Sequence, residues 1–312
     1  MSQRISVRGN VHAPRKKYHF YEQAPLFLLL LPAIVHVCIF GYGPIYGLQI
    51  AFRNFRATKG IWGSEWVGLE HFRRFLSYPL FWPMVRNTVT LTLYSLALFP
   101  IPIFCALIVN EIQKDRLKQT VQTITYAPHF VSTVVLCSMI MLFLDRSNGL
   151  FNNIIAALGG TRIDFLGTAE AFPHIYVLSG IWQNTGWNMI VYLAALASVS
   201  PSCVEAAKID GANRLQIIWH VNLPHILPTV IIMFILGSGS LLNVGYEKVL
   251  LLQNPLNLET STVISTYVYE IGLAKGQFSY SAAIGLFNTT VNLLMVILVN
   301  CIANRLSQTS LW

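Results

Sequence analysis

Long apolar stretches alternate with short polar segments along most of this 312-residue chain. Six stretches contain no Asp, Glu, Lys or Arg, and each exceeds the roughly 20 residues that a helix needs to cross a bilayer core. Trimmed at their polar ends, these stretches predict six membrane-spanning helices: 26–48, 87–109, 123–144, 174–198, 229–247 and 281–303. The longest segments between them, 49–86 and 248–280, leave no room for a sizeable soluble domain. The pattern therefore predicts an all-α membrane protein.

Composition agrees with a membrane location. Hydrophobic residues make up 54% of the chain and charged residues 11%, well below the roughly 25% of charged residues in soluble domains. The net charge of +8 is scattered over short loops. That scatter favours contact with anionic lipids of the bilayer over binding of nucleic acid, which needs a concentrated basic face.

The orientation follows from the first 25 residues, which form a basic tail. Its positive charges favour a cytoplasmic N-terminus, and six spans then return the tail at 305–312 to the cytoplasm. The basic residues of the tail are Arg4, Arg8, Arg15, Lys16 and Lys17. Counted over the whole chain, eleven Lys and Arg lie in the predicted cytoplasmic segments and ten in the predicted external segments, so charge counting alone leaves the orientation open. The first apolar stretch is longer than the core of a signal peptide, and we expect it to be a retained span.

A polar loop at 199–228 separates the fourth and fifth predicted spans. Apolar and small residues recur at helical spacing from Val204 to Asn222, which predicts one amphipathic helix ended by Leu223-Pro224. Glycine inside a helix costs roughly 1 kcal/mol relative to alanine, so Gly211 indicates a close packing partner. An amphipathic helix lying on the bilayer surface is the alternative.

The loop contains Glu205-Ala206-Ala207, then Gly211, then Val221-Asn222-Leu223-Pro224. This spacing resembles the EAA loop of ABC-transporter permeases, with Val221 in place of the usual Ile. Further stretches look like permeases of binding-protein-dependent carbohydrate uptake, and most like the polysaccharide and oligosaccharide subgroup. These stretches are 66–88, 107–132, 181–196, 239–245 and 309–312. The large external domain of the maltose-type permease has no counterpart here.

The resemblance implies the type I importer fold, with a six-helix permease domain at 26–304. It also implies four kinds of partner: a second homologous permease, a dimeric ABC ATPase, an external solute-binding protein and an oligosaccharide substrate. The ATPase-coupling residues would be Glu205, Ala206, Ala207, Gly211, Leu223 and Pro224. The chain contains no G-x-x-x-x-G-K-[ST] phosphate loop, so we expect ATP and Mg on the ATPase and no cofactor bound by this chain.

Polar and aromatic residues in the last three predicted spans are candidates for the substrate path. Aromatic rings stack on sugar C–H faces, and amides hydrogen-bond to hydroxyls. The candidates are Gln183, Asn184, Trp187, Asn188, Tyr192, Asn243, Tyr246, Glu247 and Asn288. The alternative is that these residues bridge helices or lie at the membrane interface. Trp187 and Asn188 are uncharged, which favours neutral sugars and leaves recognition of uronates to partner subunits.

Other function classes find less support. The five cysteines and eight histidines are dispersed without metal-ligand spacing, so no metal site is expected. Paired catalytic acids and an H-E-x-x-H segment are missing, which disfavours an intramembrane enzyme. A secondary carrier or channel for a small polar solute is the main alternative, although the spans lack the deeply placed charges typical of ion relays.

Overall fold

The computed structural model describes residues 20–240 and 242–307. The chain divides into two compact units, Met1–Gln49 and Ile50–Trp312. Most of the predicted N-terminal tail and the end of the C-terminal tail, including the 309–312 stretch, lie outside the described residues.

The first unit is a single helical run. Helix α1 (Phe20–His36) continues as a π-helical turn (Val37–Tyr42) and then as a 3₁₀ segment that begins at Gly43. Residues 27–52 are long and apolar enough to cross a membrane. Their large side chains, such as Leu28 and Leu29, are exposed, as expected for a helix whose solvent is lipid.

The second unit opens with a small hairpin that hydropathy does not reveal. Strand β1 (Arg53–Arg56) pairs antiparallel with β2 (Gly60–Trp66), and Gly60 takes a left-handed φ of 66° at the turn. The Arg53 guanidinium donates to the Ser64 carbonyl at 2.9 Å and lies over the rings of Trp62 and Trp66. The predicted all-α class therefore holds for the spans, and the loop between the first two predicted spans adds a β-hairpin.

Fifteen α-helices are assigned within the described residues. The remaining fourteen are α2 Glu70–Leu76, α3 Phe81–Ala97, α4 Ile101–Asn110, α5 Asp115–Tyr126, α6 Thr133–Leu144, α7 Leu150–Ala157, α8 Ala171–Ala197, α9 Pro201–Ile209, α10 Arg214–Ile217, α11 Leu223–Ser238, α12 Tyr246–Leu252, α13 Leu258–Ser261, α14 Ile264–Tyr269 and α15 Phe278–Ser307. Short 3₁₀ or π segments follow α5, α10 and α14.

Among the described residues, four helices are long and apolar enough to span a membrane, and up to six if each bent pair is one span. The bent pairs are Asp115–Phe130 with Thr133–Leu144, at 98°, and Ala171–Ala197 with Pro201–Ile209, at 74°. Each predicted span thus has a helical counterpart. The third is broken near its middle, where Ser132 caps α6 by accepting from the Val135 N–H.

The fifth span is misplaced by the sequence prediction. We predict 229–247, whereas the helix runs from Arg214 to Ser238. Residues 242–245 are not helical because side chains replace the helical bonds there: the Leu242 N–H donates to Asn292 Oδ1 at 3.0 Å and the Gly245 N–H to the Tyr176 hydroxyl at 3.1 Å. Asn243 is therefore in a loop, and Tyr246 and Glu247 begin α12.

Buried apolar side chains join α4, α8 and α11 in one cluster that includes Ile103, Met189 and Ile226. At Gly186, α8 touches the backbone of α5 so closely that an added Cβ would collide with the Thr125 carbonyl. These contacts fix the rotation of α8 and so determine which of its side chains face inward.

Candidate functional site

A cavity of about 520 Å³ lies between α3, α4, α8, α11 and the loop that leads into α12. This volume is within the roughly 300–1,000 Å³ of small-ligand sites. Apolar walls come from side chains such as Leu96, Phe99 and Phe234. Its polar lining residues are Thr92, Ser95, Tyr176, Gln183, Asn184, Asn188, Tyr192, Ser240, Asn243 and Lys248.

Helix α8 supplies the longest polar wall. Gly180, Asn184, Asn188 and Tyr192 are four residues apart, so they stack on one helix face. The Asn184 amide donates to the Gly180 carbonyl at 3.0 Å, and its oxygen lies 3.1 Å from His129 Nδ1. Asn188 is exposed to the cavity, and its amide has no hydrogen-bond partner among the described residues. Asn188 is thus the α8 amide that is free to bind a solute.

Two other α8 candidates have structural contacts. Gln183 lines the cavity, but its Nε2 also donates to the Val131 carbonyl at 2.9 Å, which ties α8 to the break before α6. Trp187 is not in the lining. Its indole stacks on His129 with ring centroids 4.5 Å apart, beside Phe130. In the structure Trp187 therefore packs against the segment between α5 and α6, and 46% of its surface remains exposed.

Asn243 faces the cavity from the loop before α12. Its Oδ1 accepts from Asn288 Nδ2 at 2.9 Å and from Asn292 Nδ2 at 3.3 Å. Asn288 is outside the lining and orients Asn243 instead. Tyr246 and Glu247 are also outside the lining, and Tyr246 stacks on Tyr269 at 5.2 Å. Of the nine predicted path residues, five line this cavity.

Sequence reasoning missed Lys248 and Tyr176. Lys248 is 8% exposed, and its Nζ donates to the Tyr176 carbonyl at 2.9 Å and lies 4.9 Å from that ring's centroid. Helix α12 lies outside the candidate spans, and burial lowers the pKa of Lys248 to about 8. The lining thus contains a positive charge that the sequence prediction, whose one charged path residue was Glu247, did not include. The sequence feature that could have revealed Lys248 is the charged pair Glu247-Lys248, which directly follows an apolar stretch. The sequence prediction included Glu247 but not Lys248.

The predicted single helix at 204–222 is also wrong. Helix α9 ends at Ile209, and Gly211 takes a φ of +83°, where its N–H and that of Ala212 bond back to carbonyls of α9. Asn213 and Gln216 then form a capping box that starts α10, with bonds of 2.9 and 2.7 Å. Gly211 is present for its left-handed backbone, not as a gap inside a helix.

The Leu223-Pro224 pair does not end a helix. A π-helical segment at Ile218–Asn222 joins α10 to α11, and Pro224 stands in the first turn of α11, where a missing N–H costs little. The result is a helix-turn-helix loop in place of one docking helix.

The surface of this loop is apolar and has no partner in the described chain. No residue of α9 is buried, Ile209 is 86% exposed, and Leu215 and Trp219 are also exposed. Glu205 and Ala206 are exposed beside them, and Ala207 is half-buried. Apolar side chains exposed in this way mark a surface that contacts another protein or the membrane.

A groove links the loop to the neighbouring helices. Glu111, Lys114, Leu117 and Arg214 line it, and its volume is about 380 Å³. The buried Asn222 amide donates to Glu111 Oε1 at 3.4 Å. The loop is therefore tied to the end of α4 and the start of α5. Among the described residues, no group of three His, Cys, Asp or Glu is placed to hold a metal ion.

Comparison with known proteins agrees with this geometry. Residues 98–308 match the family described as "Binding-protein-dependent transport system inner membrane component". The polygalacturonan/rhamnogalacturonan transport system permease YteP of Bacillus subtilis (strain 168) is 42% identical over 292 residues, which cover 93% of this chain and 91% of YteP. LplB of the same organism is 41% identical, with 92% and 91% covered.

Solved structures also show similarity to permease subunits of ABC transporters. A chain of a bacterial ABC transporter involved in import of the acidic polysaccharide alginate superposes with a TM-score of 0.84 at 38% identity, covering 92% of this chain and 98% of that one. The fold is that of a type I ABC importer permease. This chain is a multi-pass membrane permease and belongs to the family of inner membrane components of binding-protein-dependent transport systems.

Proposed function

We propose that this chain is one of two permease subunits of an ATP-driven importer and forms half of the path of an oligosaccharide delivered by an external solute-binding protein. The observation that carries the proposal is the amide-lined cavity. Asn188 and Asn243 offer amides to hydroxyl groups, and the apolar walls suit the C–H faces of sugar rings.

Carbohydrate as the substrate class is supported by the relatives. YteP carries the name of a polygalacturonan and rhamnogalacturonan permease. A related bacterial transporter, 37% identical to this chain and with a TM-score of 0.85, was crystallised in complex with an alginate pentasaccharide-bound periplasmic protein. That complex also supports a solute-binding protein as a partner here.

The energy source is a separate ATPase dimer that binds ATP and Mg. The exposed apolar loop at 199–228 supports this partner because its surface lacks a contact within the described chain. In this proposal Glu205, Ala206 and Ala207 face the ATPase, Gly211 shapes the turn, and Leu223 and Pro224 join the loop to α11. Both tails and this loop are on the cytoplasmic side.

The test is reconstitution of the assembled importer in proteoliposomes. Uptake of labelled oligosaccharide should require the solute-binding protein outside and ATP with Mg at the ATPase. The matched control is the same complex with a hydrolysis-deficient ATPase, which should take up none. Uptake that is independent of ATP would contradict the proposal and favour a secondary carrier or channel.

A further inference from the structure

Among the described residues that line the cavity, Lys248 is the one that carries a charge. The side chain is nearly buried, and within the described part of the chain no carboxylate oxygen lies within 4 Å of its amine: the ion pair found there joins Lys275 to Glu270. Burial of a cation without a counter-ion costs several kcal/mol. An apolar residue of similar length would avoid that cost.

The contacts of the amine leave part of its donor capacity unused. An ammonium group has three N–H donors, and the described residues provide one acceptor, the Tyr176 carbonyl. The Tyr176 ring lies beside the amine and screens one side of it. An added Cβ at Gly180 would lie 3.4 Å from Nζ of Lys248. The absence of a side chain at Gly180 therefore lets the amine lie close to the backbone of α8.

The neighbours of Lys248 in the lining are uncharged hydrogen-bonding groups. Asn184 and Asn188 lie on the α8 face that begins at Gly180, and Asn243 lies five residues before Lys248. A ligand in this cavity would therefore meet one positive charge surrounded by amides. That combination fits a sugar with one carboxylate and several hydroxyls. At neutral pH the amine remains mostly protonated, since its lowered pKa is still about 8.

We propose that Lys248 recognises the carboxylate of a uronate unit and makes this permease selective for acidic oligosaccharides. This inference rests on the proposed function. It adds that the substrate is negatively charged and that Lys248 recognises its charge. The amine is anchored by Tyr176 and donates its remaining N–H groups to the carboxylate, while the amides bind hydroxyls of the same or the next sugar.

The test compares two probes in the reconstituted importer: trigalacturonate, and its full methyl ester, in which a methyl group on each carboxyl removes the negative charge. In Lys248→Met the uptake rate of trigalacturonate should fall about tenfold or more, since a hydrogen bond to a charged group contributes about 1.5–3 kcal/mol. Uptake of the ester should change less than twofold, and Lys248→Arg should retain preference for the acid. Lys275→Met, at an exposed lysine paired with Glu270 outside the cavity, is the matched control and should leave the ratio of the two rates unchanged.

Direct binding of both probes to the purified complex without the solute-binding protein removes the selectivity of that protein. In this binding assay, Lys248→Met should weaken binding of trigalacturonate about tenfold or more and change binding of the ester less than twofold. Equal losses for both probes in Lys248→Met, with unchanged preference in the binding assay, would assign Lys248 to packing and overturn the inference. ATP-dependent uptake of neutral oligosaccharides only would also overturn it but leave the proposed function standing. Failure of the wild-type complex to take up any oligosaccharide with ATP would contradict the proposed function itself.

Discussion

The loop at 199–228 and the cavity differ in where they place apolar and polar side chains. The loop exposes large apolar side chains such as Ile209 and Leu215, and its first helix buries none of its residues. The cavity presents amides and an amine toward the inside of the helical unit. An exposed apolar surface of this kind contacts another protein or the membrane, whereas polar groups that face an interior space suit a hydrophilic solute.

This contrast separates two kinds of defect. Changes in the loop should alter the use of ATP without changing which sugar is preferred. Changes in the cavity should alter sugar preference or affinity and leave basal ATP hydrolysis intact.

The largest expected effect is all-or-none labelling from one side of the membrane. The exposed Cys203 of α9, kept as the sole cysteine, should react with impermeant reagents only in inside-out vesicles. Lys59→Cys in a cysteine-free chain, at the β1–β2 turn, should react only from outside. Cys203 is preferable to a cysteine at Asn213, whose side chain caps α10. The reverse labelling pattern would place the loop outside the cell and contradict its proposed contact with the ATPase.

The next largest effect should come from Ile209→Asp. A carboxylate at the most exposed apolar position of the loop would be desolvated in an ATPase interface, and loss of such a contact costs about 2 kcal/mol or more. We expect coupled ATP hydrolysis to fall tenfold or more, with normal membrane insertion. Leu158→Asp, at a leucine that is 83% exposed after α7, is the matched control and should retain activity. Full coupling in Ile209→Asp would contradict docking at this loop.

A smaller effect is expected inside the cavity. Asn188→Ala should raise the half-saturating sugar concentration about two- to tenfold, as for the loss of one hydrogen bond, at unchanged basal ATP hydrolysis. Trp187→Ala should leave that concentration within twofold and lower thermal stability instead, because it removes the stack on His129. A greater loss of uptake in Trp187→Ala than in Asn188→Ala would place the sugar path on the other face of α8.

The smallest effect should come from Gly211. Alanine in the left-handed region costs about 1–2 kcal/mol, so Gly211→Ala should reduce coupled ATP hydrolysis a few-fold. Gly211→Asn should be closer to wild type, since asparagine tolerates this conformation. An added Cβ at Gly211 meets no atom within 4 Å. Equal and complete loss in both variants would therefore indicate an intimate partner contact at Gly211 instead of a turn requirement.

Hydropathy predicted six spans that each have a helical counterpart, because it depends only on the average polarity of a window of residues. It misjudged the fifth span because the end of α11 is set by contacts from distant residues: Asn292 lies fifty positions from Leu242, whose N–H it accepts. The EAA spacing drew attention to the loop at 199–228 but did not predict its turn, because Gly211, which suggested a close packing partner, takes a left-handed backbone conformation instead. Lys248 was missed because the sequence does not show whether a charged residue beside an apolar stretch faces water or a cavity.

Helix α5 gives the two regions a mechanical connection. It begins beside the groove where Leu117 and Arg214 meet, and it ends at Thr125 and Tyr126, against Gly186 in the wall that carries Asn188. Its 12 residues make a rod about 18 Å long. Because an added Cβ at Gly186 would collide with the Thr125 carbonyl, α5 and α8 pack there without a gap. We therefore expect a displacement of α5 at the groove to move the α8 wall of the cavity.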